Sequence, residues 1–294
     1  MDECGSFDGE IGKLIKFSIL TVCLNAGDKL ANTIDSVLAQ TYGNYEIIVK
    51  DGGSTDGSLK VLDKYQNSAD GSLKVPDAAS LDDAFAPRIR LIEEKDTSIY
   101  DAMNQAIRYA TGDYYIFLNC GDYLMDETVL DRCAKQIAAT KADILYGDQY
   151  LQTVGCVVPS PKKLSDFTCY RNIPCHQVCF YHKKLFASRG YDLQYPVRAD
   201  YEHFLWCKYK ANATIHAMDF PVCSYEGAGF SETGQRVRMA RQEHKKITKQ
   251  YLGAKCIVYQ FVMWITLQPL RKRMAESKTF SAFYQMAKRL LYRR

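Results

Sequence analysis

The feature that most constrains this chain is the regular exchange of short apolar runs with helical periodicities through its first half. Phe17-Ser-Ile-Leu-Thr-Val-Cys-Leu24 is a continuous apolar run of strand length. Lys29 to Gln40 follows with Leu30, Ile34, Val37 and Leu38 at helical spacing. Tyr45 to Lys50 is a second strand, Gly57 to Tyr65 a helix, and Ile89 to Ile92 a third strand. Ile99 to Ala110 is a helix with Ser98 and Asp101 at capping-box spacing, and Tyr114 to Leu118 is a fourth strand. Runs this apolar are buried on both faces. In strand–helix alternation that predicts an α/β fold with a mostly parallel sheet flanked by helices.

The second half is less regular. A short helix ends near Leu185 and Phe186, Asp200 to Tyr209 forms another, and Ala213 to Met218 is a strand. Beyond Ser231 the pattern is helical and basic. Asp56-Gly-Ser-Leu-Lys-Val61 recurs as Asp70-Gly-Ser-Leu-Lys-Val75. Two copies are too few for a solenoid, and the composition of residues 67–86 suits an inserted surface loop.

The 294 residues suffice for one large domain with a small appendage. With 47% hydrophobic and 24% charged residues, the chain is neither disordered nor a disulfide scaffold. The net charge of +4 conceals an asymmetry: residues 236–294 hold fifteen Lys/Arg against two Asp/Glu, net +13, and the preceding 235 are net −9. Eleven cysteines without framework spacing suit a reducing cytosol. Cys169, Cys175 and Cys179 with His176 and His182 lack a CxxC pair, so they read as buried thiols before a zinc site. The acidic N-terminus is no signal peptide. The longest apolar run, Ile257 to Leu267, is 11 residues and too short to span a bilayer.

In open α/β sheets ligands bind at the carboxyl ends of strands. Here acidic loops follow three of them: Asp51-Gly-Gly-Ser-Thr-Asp56-Gly, Glu93-Glu-Lys-Asp96 and Asn119-Cys-Gly-Asp122. Carboxylates at such ends suit sugar or ribose hydroxyls, or a metal ion that bridges them to a diphosphate. Each also has a plain structural reading. Asp51 and Asp56 can shape a glycine-rich turn, Asp101 and Asp200 can cap helices, Thr21 and Asn25 can simply end a strand, Asp122 can sit in a turn, and His176 can be a satisfied core histidine.

Thr21-Val-Cys-Leu-Asn25-Ala, Ser36-Val-Leu-Ala-Gln40-Thr-Tyr, Glu46-Ile-Ile-Val-Lys-Asp51-Gly-Gly-Ser-Thr-Asp56-Gly and Tyr100-Asp-Ala-Met-Asn104 form an ordered series. Ala110-Thr-Gly-Asp113, Leu118-Asn-Cys-Gly-Asp122, His176-Gln177 and Ala199-Asp200-Tyr201 continue it. Over about residues 15–232 this series resembles family 2 glycosyltransferases of the GT-A fold, especially bacterial exopolysaccharide, colanic-acid-type and O-antigen assembly enzymes. The resemblance implies a catalytic domain over 1–232 and a basic amphipathic helical region over 233–294. It implies an inverting, non-processive transfer from a nucleotide sugar, UDP-hexose by family frequency, to a hydroxyl of a lipid-linked or glycan acceptor.

The same resemblance makes Asp200 the general base and Asp122 the holder of a divalent metal, Mn²⁺ or Mg²⁺, on the donor diphosphate. Thr21, Asn25, Asp51, Asp101 and Asn104 become donor-binding residues. His176 and Gln177 become a loop against the acceptor or diphosphate. Asn119 replaces the first aspartate of the DxD-type motif and Ala199 the glutamate often found beside the base. Gln235-Arg-Val-Arg238 and Gln268-Pro-Leu-Arg271 match only the start of the Gln-x-x-Arg-Trp motif of processive synthases.

Two alternatives have other signatures. A sugar nucleotidyltransferase would carry a glycine-rich, arginine-bearing loop where Leu24-Asn-Ala-Gly27-Asp-Lys stands, and a dinucleotide oxidoreductase would carry GxGxxG there. A non-catalytic sugar-nucleotide-binding protein would be expected to lack Asp122 and Asp200.

The tail suggests a partner of its own. Phe280, Phe283, Tyr284, Ala287, Leu290 and Leu291 fall on one helical face beside Lys288, Arg289, Arg293 and Arg294, a pattern for a helix lying in an anionic membrane surface. Packing on the body or on a sister subunit is the other reading. The sequence thus predicts a cytoplasmic enzyme, peripheral on the inner face of the cell membrane, with no nucleic-acid partner.

Overall fold

The computed structural model describes residues 14–64, 66–67, 73–74, 88–227 and 234–265. The amphipathic pattern over residues 280–291 and the 271–273 basic cluster lie outside the described residues.

Strand β1 (Phe17–Cys23) leads to α1 (Lys29–Leu38), β2 (Tyr45–Asp51), a 3₁₀ turn over Ser58–Lys64, and the short strands β3 (Gln66–Asn67) and β4 (Leu73–Lys74). Next come β5 (Arg88–Glu93), α2 (Ile99–Ile107), β6 (Tyr114–Phe117), β7 (Tyr123–Leu124), α3 (Val129–Thr140), β8 (Ile144–Leu151) and β9 (Cys156–Val158). The chain continues through α4 (Asp166–Arg171), a 3₁₀ turn over His176–Val178, β10 (Cys179–His182), α5 (Lys184–Ala187), α6 (Ala199–Tyr209), β11 (Ile215–Tyr225), α7 (Gln235–Leu252) and α8 (Lys255–Ile265).

One sheet runs β3-β4-β5-β2-β1-β6-β10-β8-β11-β7, with β9 on β8. The pairs β5–β2, β2–β1 and β1–β6 are parallel, which is why those strands read as unbroken apolar runs. Beyond β6 the sheet is mixed: β10 runs antiparallel to both neighbours, and β11 lies parallel to β8.

Four sequence expectations are refined here. The helix expected over Gly57–Tyr65 is a 3₁₀ helix over Ser58–Lys64. Part of the expected 67–86 surface loop is paired: β4 lies antiparallel to β3 and β5, while the other positions of that segment fall outside the described residues. The strand expected over Ala213–Met218 extends to Tyr225, because register shifts around Pro221 let it pass a residue that cannot donate to the ladder. The irregular second half contributes β8, β9 and β10 to the same sheet.

Several recognisable motifs turn out to be clamps that set the strand ends. The Thr33 hydroxyl donates to the Asp122 carbonyl (2.9 Å) and accepts from the Gly121 amide (3.0 Å). Ser36 accepts from the Leu124 amide, and Gln40 both donates to the Asp126 carbonyl and accepts from the Leu130 amide. One face of α1 therefore holds the turn after β6. Thr111 and Ser18 share the buried Glu46 carboxylate, joining the β1, β2 and β6 entries. The ten described cysteines are free.

Helix α7 packs on the body. Ile247 is fully buried, and Glu243 accepts from the Val197 and Arg198 amides at 3.1 and 2.8 Å. Helix α8 buries none of its residues fully, although Tyr259 meets Phe167 and Tyr170. No helix among the described residues is long and apolar enough to cross a membrane.

Candidate active site

A cavity of about 740 Å³ opens at the carboxyl end of the sheet. Asn119, Cys120 and Asp122 line it from the turn after β6, Tyr100 and Met103 from α2, Cys175, His176 and Gln177 from the turn before β10, and Asp200 from the first turn of α6. Four of the residues singled out by sequence, Asp122, His176, Gln177 and Asp200, thus share one space.

Asp200 is tied by two different donors. The Tyr100 hydroxyl donates to Oδ1 at 2.7 Å and is shared with the Val197 carbonyl at 3.0 Å. His176 Nδ1 lies 3.3 Å from Oδ2, and its Nε2 lies 3.3 Å from the Asn119 amide nitrogen. In that network Nδ1 donates to Asp200. Burial pushes the Asp200 carboxyl up. The His176 hydrogen bond and charge, then the Tyr100 hydrogen bond, outweigh it and hold the group below the ordinary carboxylate range. The side chain keeps 23% of its surface exposed. An ionised carboxylate that is oriented on both oxygens and still reachable suits a general base.

Asp122 differs. It is 4% exposed. Oδ1 accepts from the Glu226 amide and Oδ2 from Gln177, both at 3.1 Å. Burial dominates, and its pKa is raised. Beside it Asn119 Oδ1 is buried with no protein partner. No group of three His, Cys, Asp or Glu among the described residues forms a metal cluster. Asn119 Oδ1 and the Asp122 carboxylate are nevertheless hard oxygen donors. They fit a divalent cation whose remaining shell comes from diphosphate oxygens and water.

The other candidate residues build the wall across β1 and β2. Asp51 accepts from the Gly53 and Ser54 amides at 2.7 Å each and from the Ser54 hydroxyl. This turn needs Gly53, whose φ of +101° L side chains rarely adopt. Asn25 Oδ1 takes the Thr55 amide and Asp56 takes the Gly27 amide, so the loops after β1 and β2 are stitched together. Thr21 is fully buried, and its hydroxyl has no protein partner. Asp101 holds the Thr97 amide at 2.8 Å, and Ser98 accepts from the Asp101 amide. Asn104 clamps Tyr191 through both backbone groups. A Cβ on the neighbouring Gly190 would fall 2.2 Å from Asn104 Oδ1. None of these five lines the cavity.

Among the lining residues that carried no assignment in the sequence are Tyr100, Arg171 and Arg198. Tyr100 stands inside a recognisable motif. The arginines had no signal, since their placement depends on α4 and α6 meeting across the cavity mouth.

Residues 18–193 match the family model for glycosyl transferase family 2. A PGL/p-HBAD biosynthesis glycosyltransferase of Mycobacterium tuberculosis is 34% identical over 224 residues, 74% of this chain and 79% of the relative. Among solved structures, S. aureus TarS superposes with a TM-score of 0.58 at 17% identity, covering 81% of this chain and 43% of TarS. A mannosyltransferase of Pyrobaculum calidifontis, solved with GDP-Man and Mn²⁺, superposes with a TM-score of 0.55 at 13% identity, covering 95% and 87%. Family model, relatives and shared architecture agree: this chain belongs to glycosyl transferase family 2 and is a glycosyltransferase of the GT-A fold.

Proposed function

We propose that the enzyme transfers a hexose from a nucleotide sugar to an acceptor hydroxyl with inversion at the anomeric carbon, one sugar per encounter. The observation that carries this reading is Asp200, held ionised by Tyr100 and His176 in the cavity at the strand ends. The acceptor oxygen bonds to the anomeric carbon as Asp200 takes its proton. The carbon–oxygen bond to the diphosphate breaks on the opposite face, and nucleoside diphosphate leaves. Uridine is the favoured base, since a truncated TarS was solved with UDP and with UDP-GlcNAc.

In this reading the nucleotide lies beside the cavity over the loops after β1 and β2 that Asn25 and Asp51 shape, and Thr21, Asp101 and Asn104 belong to the same donor side. Gln177 fixes Asp122. A divalent cation held by Asn119 and Asp122 supplies positive charge to the leaving diphosphate when bound.

The acceptor of this proposal is a glycan or lipid-linked oligosaccharide in surface glycoconjugate synthesis, in keeping with a relative named for PGL/p-HBAD biosynthesis. Residues 1–232 form the catalytic unit. Residues 233–294 hold it against the inner face of an anionic membrane: on α8, Ile257 (73%), Trp264 (68%) and Phe261 (58%) stand exposed. Homo-oligomers through this face are the competing arrangement. Donor screening by release of UDP or GDP tests the chemistry. Transfer requiring Asp200, with an inverted product by NMR, is the expected result, and a retained configuration would sink it.

A further inference from the structure

The cavity has a second polar feature that the transfer chemistry above leaves unused. Arg171, in the last turn of α4, and Arg198, at the N-cap of α6, both line it. Neither guanidinium has a hydrogen bond or a carboxylate within ion-pair distance among the described residues, and Arg198 Nε is buried without a partner. Glu243 lies close enough to feel the Arg198 charge, but its Oε2 is committed to the Val197 and Arg198 amides and no ion pair forms. The Tyr201 ring, 5.4 Å from the guanidinium, is a further neighbour. Elsewhere in the body Arg108, Arg132 and Arg189 each meet a carboxylate at 2.8 Å or less, although the Arg132 Nε is likewise buried without a partner.

A buried guanidinium nitrogen without an acceptor is costly. Two arginines lining one cavity supply donors that suit phosphate oxygens. The first turn of the 11-residue α6 also reaches this mouth, and its dipole favours an anion there.

We infer that Arg171 and Arg198 form an acceptor subsite for a phosphate or diphosphate group. The acceptor is then a sugar whose own anomeric oxygen is already phosphorylated. This rests on the transferase reading above and deepens its acceptor half. Arg198 stands two residues before Asp200, so a phosphate gripped there presents the attached sugar's hydroxyls to the base. The donor diphosphate belongs to the Asn119–Asp122 side, which leaves the arginines for a second anion. Phosphorylated sugars come from two sources, a soluble sugar phosphate and a lipid diphosphate carrier.

The test is calorimetric titration of the full chain, saturated with UDP, with α-glucose 1-phosphate and separately with geranyl diphosphate. One saturable site is expected. Tighter binding of geranyl diphosphate assigns the lipid-linked source, and tighter binding of glucose 1-phosphate the soluble one. Arg171→Gln with Arg198→Gln should weaken the preferred anion at least tenfold while UDP affinity stays within twofold, and Arg198→Lys should recover part of the loss.

Absence of saturable binding for both anions, an unchanged affinity in the double variant, or a parallel loss of UDP affinity would each overturn the subsite. Thermal melting checks the fold, and Arg171→Gln alone, at an exposed helix end, serves if the double variant is unstable. A chain that binds no UDP would refute the proposed donor. The same titrations without UDP would still decide the subsite.

Discussion

The carboxyl end of the sheet has two banks built on opposite principles, the loops beside the cavity and the cavity lining itself. Across β1 and β2 nearly every polar side chain is committed: Asp51 and Asp56 are saturated by turn amides and hydroxyls, and Asn25 bridges to the next loop. Thr21 is the exception, a buried hydroxyl with no protein partner. Across the turn after β6, α4 and α6, two buried groups without a protein partner line the cavity, Asn119 Oδ1 and the Arg198 Nε, beside the exposed Arg171. An unpaired buried polar group costs about 1–3 kcal/mol. A fold tolerates such a pair when something else completes it there. The first bank is scaffolding that fixes shape, and the second is where chemistry is presented.

The sharpest way to break this contrast is Asp200→Asn. The amide can still accept from Tyr100 but cannot take a proton. The turnover number should fall roughly 10²- to 10⁴-fold, with the melting temperature nearly unchanged. Near-normal transfer by a folded variant would remove Asp200 from the base role. On the scaffold bank Asp51→Ala should do the reverse in kind. It releases three donors from a residue 1% exposed, so stability should drop by about 2–4 kcal/mol in urea titrations, and UDP binding should weaken as the loop loosens. A variant that kept full stability yet lost UDP would make Asp51 a direct ligand-holding group and erase the distinction between the banks.

These two residues also show how much the sequence discloses. Both belong to an ordered motif series, and strands β1, β2, β5 and β6 were legible because parallel strands buried on both faces are apolar throughout. Strand β8, with Gly147 and Asp148 in its middle, and the four-residue β10 carry no such run. Strand β11 runs past Met218 through Asp219 and Pro221, residues unfavourable in a strand, because register shifts carry the chain past Pro221. At the site, the Ser36–Gln40 motif was legible as a pattern, but its task, clamping the turn that bears Asp122, needed the distances. Tyr100 and Asp200 stand 100 positions apart, and no local pattern pairs them.

That pairing gives a finer test. Tyr100→Phe removes one of the groups, with His176 and the Tyr201 backbone amide, that favour the ionised Asp200 carboxylate. Its loss raises the Asp200 pKa, so on acidification the rate is lost at a higher pH. The acid limb of kcat/KM should move upward, with turnover at neutral pH falling up to roughly tenfold. A fall in rate with no movement of the limb would mean that Tyr100 supports packing alone.

The smallest effect is expected where the two banks are joined by charge at the surface. Lys29 on α1 meets both carboxylate oxygens of Glu226 at 2.6 and 2.7 Å. The side chains are 52% and 45% exposed, so water screens the pair and their ordering costs entropy. Lys29→Met should change stability by less than about 0.5 kcal/mol. Asp122 takes its contact from the Glu226 backbone amide, and that contact does not depend on the lysine. Turnover should therefore stay within about twofold, in keeping with so weak a surface pair. A tenfold fall in turnover with stability intact would show that this exposed pair sets the width of the cavity mouth. The division between a rigid wall and a reactive one would then be a hinge, with Lys29 as its latch.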